Sequence, residues 1–254
     1  MDNKPTYLVP ALIKADKIIH LLVNSTNDLR ATDISKALDI SKSSCSVLLK
    51  TLENLSWIEK KSNDTYSIGP ALAHYGYRYF KDFNLIDIFT QEAKKTLEVV
   101  DEHIQLGILQ GNKVMYLSKI KGSSQIDLVT SPGVQYPSHS TSVGKVQLIN
   151  FSKEELHEVF KEGLEPVNEF TIKTVEQLYE DLQKAKTNGF IEEHQESAIG
   201  FHCIAGPILN NTGKIVAGVS IAMTTEKWRL KENIARKEII QLSKRLSYLN
   251  GYKK

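Results

Sequence analysis

The sequence predicts an α+β protein: an N-terminal winged helix-turn-helix, a short linker helix, and a larger C-terminal domain built on one antiparallel sheet. Three observations carry that prediction. Residues 32–52 (TDISKALDISKSSCSVLLKTL) read as two short helices with a tight turn between them. Residues 57–68 then switch to a polar-tipped hairpin, and beyond residue 103 extended runs alternate with capped helices in meander order. Strands that meander with helices around them fit one antiparallel sheet.

The 254 residues are enough for two ordinary domains, each with its own core. Hydrophobic residues make up 41% and charged residues 24%, the balance of a globular protein rather than a disordered or fibrous one. No apolar run approaches the roughly 18 residues that span a bilayer, so no membrane attachment is expected. The N-terminus MDNKPTYLVPALIKADK lacks a secretory pattern, and a cytoplasmic location is the expectation. Two cysteines, Cys45 and Cys203, exclude a disulfide framework, and the histidines are scattered without metal-ligand spacing. No metal or other cofactor is expected. The net charge is only +2, but residues 1–82 hold 11 Lys/Arg against 9 Asp/Glu while the remainder balances. A basic surplus confined to the N-terminal third permits DNA binding without proving it.

Taken in order, residues 9–23 predict a first helix with Leu12, Ala15, Ile19 and Leu22 on its apolar face and Ile18 alongside. Thr32 is the expected N-cap of the second helix, whose apolar positions are Ile34, Ala37 and Leu38. Asp39 and Ile40 form the turn, Ile40 plugging the space between helices, and Ser41 caps the third helix. On that helix Cys45, Leu48, Leu49 and Leu52 recur at i, i+3, i+4, i+7, while Lys42, Ser43, Ser46 and Lys50 share the opposite side. Short hydroxyls approach phosphates and base edges closely, and lysines supply charge. A helix so built suits a DNA major groove. Thr32, Ser41 and Ser44, at helix starts, complete the candidate set there. Trp57 and Ile58 open a strand that ends in Lys60-Lys61. Asn63-Asp64 supplies the turn, and residues 65–68 return to Gly69-Pro70. Lys60 and Lys61, beside that turn, suit a wing touching phosphate or minor groove.

Residues 70–83 place Leu72, Tyr75, Gly76, Tyr79, Phe80 and Phe83 on one helical stripe, which should bury itself against the second domain or a twin copy. A helix over 85–100 follows, then strands 103–110 and 114–120 around Gly111-Asn112-Lys113, and a further extended run from Gln125 to Thr130. A Gly/Pro-punctuated loop over 131–137 leads into TSVGKVQLIN. Capping boxes at Ser152/Glu155 and Thr174/Gln177 start two helices, and Gly189 ends the second. Strands are expected at 190–195, 202–209 and 214–223, and a last helix from about 227 to 249. Gly144-Lys145 is not a nucleotide phosphate loop, since position 139 is His and position 146 is Val.

Read together, TDISKALDISKSSCSVLLKTLENLSWIEK…YSIG, PSHSTSVGKVQLINFSKEEL and GFIEEHQESAIGFHCIAGPILNNTGKIVAGVSIAM resemble the winged helix, the Pro-x-His…Gly-Lys segment and the C-terminal signature of the IclR (isocitrate lyase regulator) family of bacterial transcription factors. The resemblance spans nearly the whole chain, and the spacings of Gly189, Glu196, Gly200, Cys203, Ala205 and Pro207 agree with it. It implies a winged helix-turn-helix over 1–69, a linker helix over 70–84 and a GAF-like effector-binding domain over 85–254. It also implies a homodimer or dimer of dimers on a palindromic double-stranded operator, and a small organic acid as effector. Carried over by position, the effector site would comprise His139, Val143, Gly144, Glu193, Cys203, Ser220 and Ala222, with backbone N–H groups near Gly144 receiving a carboxylate. The family usually has Asp where this chain has Glu193, an acid where it has His194, and often a hydroxyl where it has Ala222. The expected function is a ligand-responsive regulator, most simply a repressor of a catabolic operon. Two rivals are a DNA-binding protein without an effector and an enzyme using Cys203 as nucleophile with His202 or His194 as base. Adjacent strand residues point to opposite faces, so His202 is badly placed to serve Cys203, and no enzymatic activity is expected.

Overall fold

The structure is a computed structural model that describes residues 8–81, 84–126, 128 and 130–253. The chain divides into two compact units, 1–83 and 84–254. Each is built from its own core.

In the first unit, α1 (Pro10–Asn24), α2 (Ala31–Ala37) and α3 (Lys42–Asn54) surround a core of Ala15, Ile18, Ile34, Ile40, Cys45, Leu49, Leu52 and Ile58. The face of α1 is rotated from the expected one. Ile18 is fully buried at its centre, whereas Leu12 is 61% exposed. Ala15, Ile18 and Leu22 make the i, i+3, i+7 stripe that the other helices can reach. Ile40 plugs the turn as expected: its N–H donates to Ser35 O at 3.0 Å and its carbonyl accepts from Ser35 Oγ at 2.6 Å. Thr32 is not the cap of α2. The N-cap is Arg30, two residues earlier, and its N–H donates to Asp33 Oδ2 at 2.9 Å. Ser41 does cap α3, its Oγ accepting from Ser44 N at 3.4 Å.

The wing has three strands rather than two. β1 (Leu29–Arg30) pairs antiparallel with β3 (Thr65–Ile68), which also pairs with β2 (Ile58–Lys60). A two-residue strand carries no periodicity, so it reads in the sequence only as part of a polar break. Asp64 takes positive φ (64°) to close the turn, a conformation Asp tolerates better than most. Gly69 lets the chain leave the wing against Ser56 and Ile58, where a Cβ would lie 2.9 Å from Ile58 N. α4 (Pro70–Lys81) follows, with Tyr75 edge-on to Trp57 at 6.4 Å. Tyr79, Phe80 and Phe83, half of its expected stripe, lie outside the described side chains.

The second unit opens with α5 (Asn84–Val100) and holds a six-stranded antiparallel sheet in the order β6-β5-β4-β9-β8-β7. Its strands are β4 (His103–Gln110), β5 (Lys113–Ile120), β6 (Gln135–Pro137), β7 (Ile191–His194), β8 (Phe201–Leu209) and β9 (Ile215–Thr224). α9 (Thr225–Leu249) packs on one face, where a Cβ at Gly206 would lie 2.6 Å from Ser243 Cβ. The short α6 (Ser142–Leu148) packs on the other, over Gly218. α7 (Lys153–Val159) and α8 (Val175–Asn188) extend that layer around Leu148, Leu156, Leu178 and Leu182. The caps are as expected at Ser152, Thr174 and Gly189, the last with φ 78°.

The run from Gln125 to Thr130 is not a strand at its described residues. Its carbonyls are taken by side chains: Ile126 O by His103 Nε2 at 3.1 Å and Leu128 O by Lys119 Nζ at 2.7 Å. The place beside β5 goes instead to β6, part of the expected loop. No helix among the described residues is long and apolar enough to cross a membrane.

Candidate DNA-binding surface and effector cavity

The outward face of α3 carries the residues the sequence put there. Lys42, Ser43, Ser46 and Lys50 are exposed, while Cys45, Leu49 and Leu52 are buried. The hydroxyls at the helix start are less free than expected. Ser41 Oγ lies 3.3 Å from Ser43 Oγ and donates to Ser44 Oγ at 3.0 Å, so the three serines form one capping cluster. The wing lysines also have partners. Lys60 Nζ sits 2.7 Å from Asp64 and Lys61 Nζ 2.9 Å from Asp28. Phosphate would have to displace these exposed carboxylates, whereas Lys42 and Lys50 have no ion-pair partner among the described residues. Thr32 is exposed in the first turn of α2.

In the second unit, Gly107 and Gly218 face each other across β4 and β9. A Cβ at 218 would lie 2.6 Å from Val143 O, and one at 107 would lie 2.9 Å from Val114 Cγ2. This bare strip of sheet admits α6, all seven residues of which are buried. Gly144 is needed for the same steric reason, since a Cβ there would stand 2.6 Å from Ser138 Cα. Its N–H is already taken by Thr141 Oγ1 at 3.1 Å, so it is not the free donor expected from the sequence.

Beside α6 the sheet face holds a small, partly open cavity of about 30 Å³, far below the roughly 300–1,000 Å³ of most small-molecule sites. Cys203 and Ser220 line it, as do Gln105, Tyr116, Leu128, Thr130, Tyr136, Thr141, Ser142, Ser197 and Ala198. Gln105 Nε2 donates to Thr130 Oγ1 at 2.8 Å, and Ser220 Oγ lies 3.4 Å from Gln105 Oε1. Tyr116 and Tyr136 meet edge-to-face at 6.0 Å. No lysine or arginine lines the cavity among the described residues.

The other expected effector residues stand behind this lining. Val143 packs with Val114, Tyr116 and Tyr136. Ala222, fully buried, pairs in register with Cys203. Glu193 lies on the next strand, its carboxylate accepting from Ser197 N at 2.9 Å and Ser197 Oγ at 3.3 Å. Burial outweighs that backbone bond and pushes the Glu193 carboxyl up to about 7. His139 is buried farther off, Nε2 on Glu165 O at 3.0 Å and its ring edge-on to Phe160. Burial holds its pKa below the ordinary value, keeping it neutral at physiological pH.

Cys203 is no activated nucleophile. Burial, then the neighbouring Glu193, pushes its thiol well above the ordinary range. His202 points the other way, to His194 Nδ1 at 2.8 Å and Thr225 Oγ1 at 3.1 Å, and stacks on Trp228.

A family model described as bacterial transcriptional regulator IclR C-terminal matches residues 77–248, and one described as IclR helix-turn-helix domain matches residues 11–62. The chain belongs to the IclR family. Among curated relatives, the HTH-type transcriptional regulator KdgR of Escherichia coli (strain K12) is 27% identical over 241 residues, covering 92% of this chain and 90% of KdgR. The crystal structure of the Thermotoga maritima IclR matches with a TM-score of 0.78 at 27% identity, over 95% of this chain and 98% of that one. An IclR homologue from Microbacterium hydrocarbonoxydans, complexed with 4-hydroxybenzoate, shares the fold at 19% identity, with a TM-score of 0.78 over 94% and 99% of the two chains. This IclR-family protein is a DNA-binding transcriptional regulator.

Two features of the second unit went unread in the sequence. Gln105 had a signal, an uncharged polar residue inside the apolar run HIQLGIL, and it proves to be buried. Lys145, seen as part of a failed phosphate loop and of the family's Gly-Lys segment but given no role, is fully buried and donates to Glu196 Oε1 at 2.6 Å and Asp181 Oδ2 at 3.0 Å. Nothing local in the sequence announces that pair of partners, 36 and 51 residues away.

Proposed function

We propose that this regulator represses a catabolic operon from a palindromic operator and releases it when a small organic acid enters the cavity beside α6. The cavity carries the reading: a small, partly open space with hydroxyl and amide lining, which an acid would widen on entry, in the unit that does not hold the helix-turn-helix. Hydroxyls and an amide suit a ligand with several acceptors, and the two tyrosines suit a flat or apolar remainder. Without a lysine or arginine in the lining, a carboxylate would be held by neutral donors. Cys203 and Ser220 would touch the ligand, and Val143, Gly144, Glu193 and Ala222 would shape the walls. His139 would act at a distance, fixing the turn before α6.

On the DNA side, α3 would enter the major groove with Lys42, Ser46 and Lys50 foremost and Ser41, Ser43, Ser44 and Thr32 near the backbone. Lys60 and Lys61 would exchange Asp64 and Asp28 for phosphates. A homodimer would place two such helices about 34–36 Å apart. The protein would work in the cytoplasm, where the chromosome is. An effector that favours one arrangement of the dimer changes operator affinity, and one that binds both arrangements equally changes nothing.

The test is binding to DNA flanking its own gene, repeated with a panel of small acids and paired with thermal melts. A true effector at 100 times its Kd should stabilise the fold by about 2.7 kcal/mol and weaken the DNA complex. DNA binding that no acid alters, with no acid raising the melting temperature, would favour a regulator without effector.

A further inference from the structure

The outward face of α3 carries one side chain that lysine and serine chemistry does not explain. Ser43, Val47, Lys50 and Asn54 recur at i, i+4, i+7 and i+11, on the side of the helix away from Cys45, Leu49 and Leu52. Val47 stands in the middle of that stripe and is 67% exposed, the highest value for any large apolar side chain described in the first unit. It adds nothing to the core there, and as a β-branched residue it is a poor choice for stabilising an exposed helix. The hydroxyls of Ser43, Ser44 and Thr51 around it already have partners. Ser43 and Ser44 are held by Ser41, and Thr51 Oγ1 donates to the carbonyl of Val47 itself at 2.9 Å. What the middle of this helix offers a partner is therefore an isopropyl group, with Lys50 and the exposed Ser46 beside it.

The charge argues for DNA as that partner, since neither Lys42 nor Lys50 is ion-paired among the described residues. Within the major groove the apolar feature of a base edge is the C5-methyl group of thymine. We propose that Val47 is a specificity-determining residue that packs against a thymine methyl in each operator half-site. The two lysines then supply affinity that depends on salt but little on sequence. This rests on the reading that α3 enters the major groove.

The experiment begins with a duplex selected from a randomised pool by the full-length protein. Each thymine is then replaced singly by uracil, which removes only the methyl group. Wild type, Val47→Ala and Lys50→Ala are compared by fluorescence anisotropy over a range of salt. A single uracil should weaken wild type about fourfold, the value of one buried methyl group, and one in each half-site about fifteenfold. Val47→Ala should lose affinity for the thymine duplex, be indifferent to that uracil, and keep the wild-type salt slope. Lys50→Ala, which removes one lysine from each subunit, should lower the salt slope by about two while remaining sensitive to the uracil. If Lys50→Ala weakens binding but no uracil affects wild type, or Val47→Ala stays as sensitive as wild type, Val47 does not read a methyl. If Val47→Ala changes only the oligomeric state by light scattering, the valine serves a second copy instead and the proposal is overturned. If Lys42→Ala and Lys50→Ala both leave affinity untouched, the placement of α3 on DNA fails and the role of Val47 fails with it.

Discussion

Replacing Glu193 by Gln should make the second unit more stable at pH 8 than the natural protein. The carboxyl is buried, and burial raises its pKa from 4.5 to about 7. Below about pH 4.5 both folded and unfolded chains hold the proton, and Glu193 contributes no pH dependence. Between 4.5 and 7 the folded chain keeps a proton that the unfolded chain has shed. Stability therefore falls as pH rises through that window and levels off above it. At about 1.4 kcal/mol per pH unit the full cost is on the order of 3 kcal/mol. Gln carries no charge and keeps an oxygen for the Ser197 N–H, which now donates to Glu193 Oε1 at 2.9 Å. The assay is urea denaturation of the full chain at pH 5 and pH 8, followed by tyrosine fluorescence and far-UV circular dichroism. Glu193→Gln should gain roughly 2–3 kcal/mol at pH 8, little at pH 5, and show a flatter profile between them. A variant that is no more stable than wild type at pH 8, with an unchanged pH profile, would show that Glu193 is ionised in the folded protein at little cost.

Three further outcomes follow from the second unit. Lys145→Met leaves Glu196 and Asp181 without their cation and should destabilise by about 3–5 kcal/mol in urea denaturation, with Glu196→Gln milder because Lys145 keeps Asp181. Gly218→Ala drives a Cβ toward Val143 O, 2.6 Å away. It should cost about 1–3 kcal/mol and reduce the thermal shift given by any acid that binds wild type, since α6 borders the cavity. Ser152→Ala removes one half of the capping box on α7, where Glu155 N donates to Ser152 Oγ at 3.2 Å. It should cost about 1 kcal/mol and leave ligand binding intact, a control for the other two.

How far the sequence reaches depends on whether the determining interaction is local. The Ser41, Ser152 and Thr174 caps and the Gly189 stop were legible because a side chain or a φ angle within a few residues decides them. Thr32 misled because Asp33 reaches back to the Arg30 N–H and starts the helix earlier. Leu12 misled because two overlapping apolar stripes on α1, both containing Ala15 and Leu22, differ by only about 50° around the helix, and only the packing of α2 and α3 chooses between them. The run 125–130 had strand composition, but His103 and Lys119 claim two of its carbonyls. In the cavity, Cys203 and Ser220 were found through the family resemblance, and Gln105, Tyr116 and Thr130 were not, since β4, β5 and the 120s loop meet only in the folded sheet. The Gly107–Gly218 contact belongs to the same class. Two ordinary glycines become the seat of α6 once β4 and β9 are side by side.

The central claim is that occupancy of the second unit's cavity changes the DNA affinity of the first. It is tested most directly by titrating a labelled duplex from the gene's own flanking DNA with the full-length protein, with and without an acid that raises its melting temperature. A saturating acid should change operator affinity by about fivefold or more, with the duplex in turn weakening the acid by the same factor. An acid that binds and stabilises the protein yet leaves operator affinity unchanged would contradict the claim.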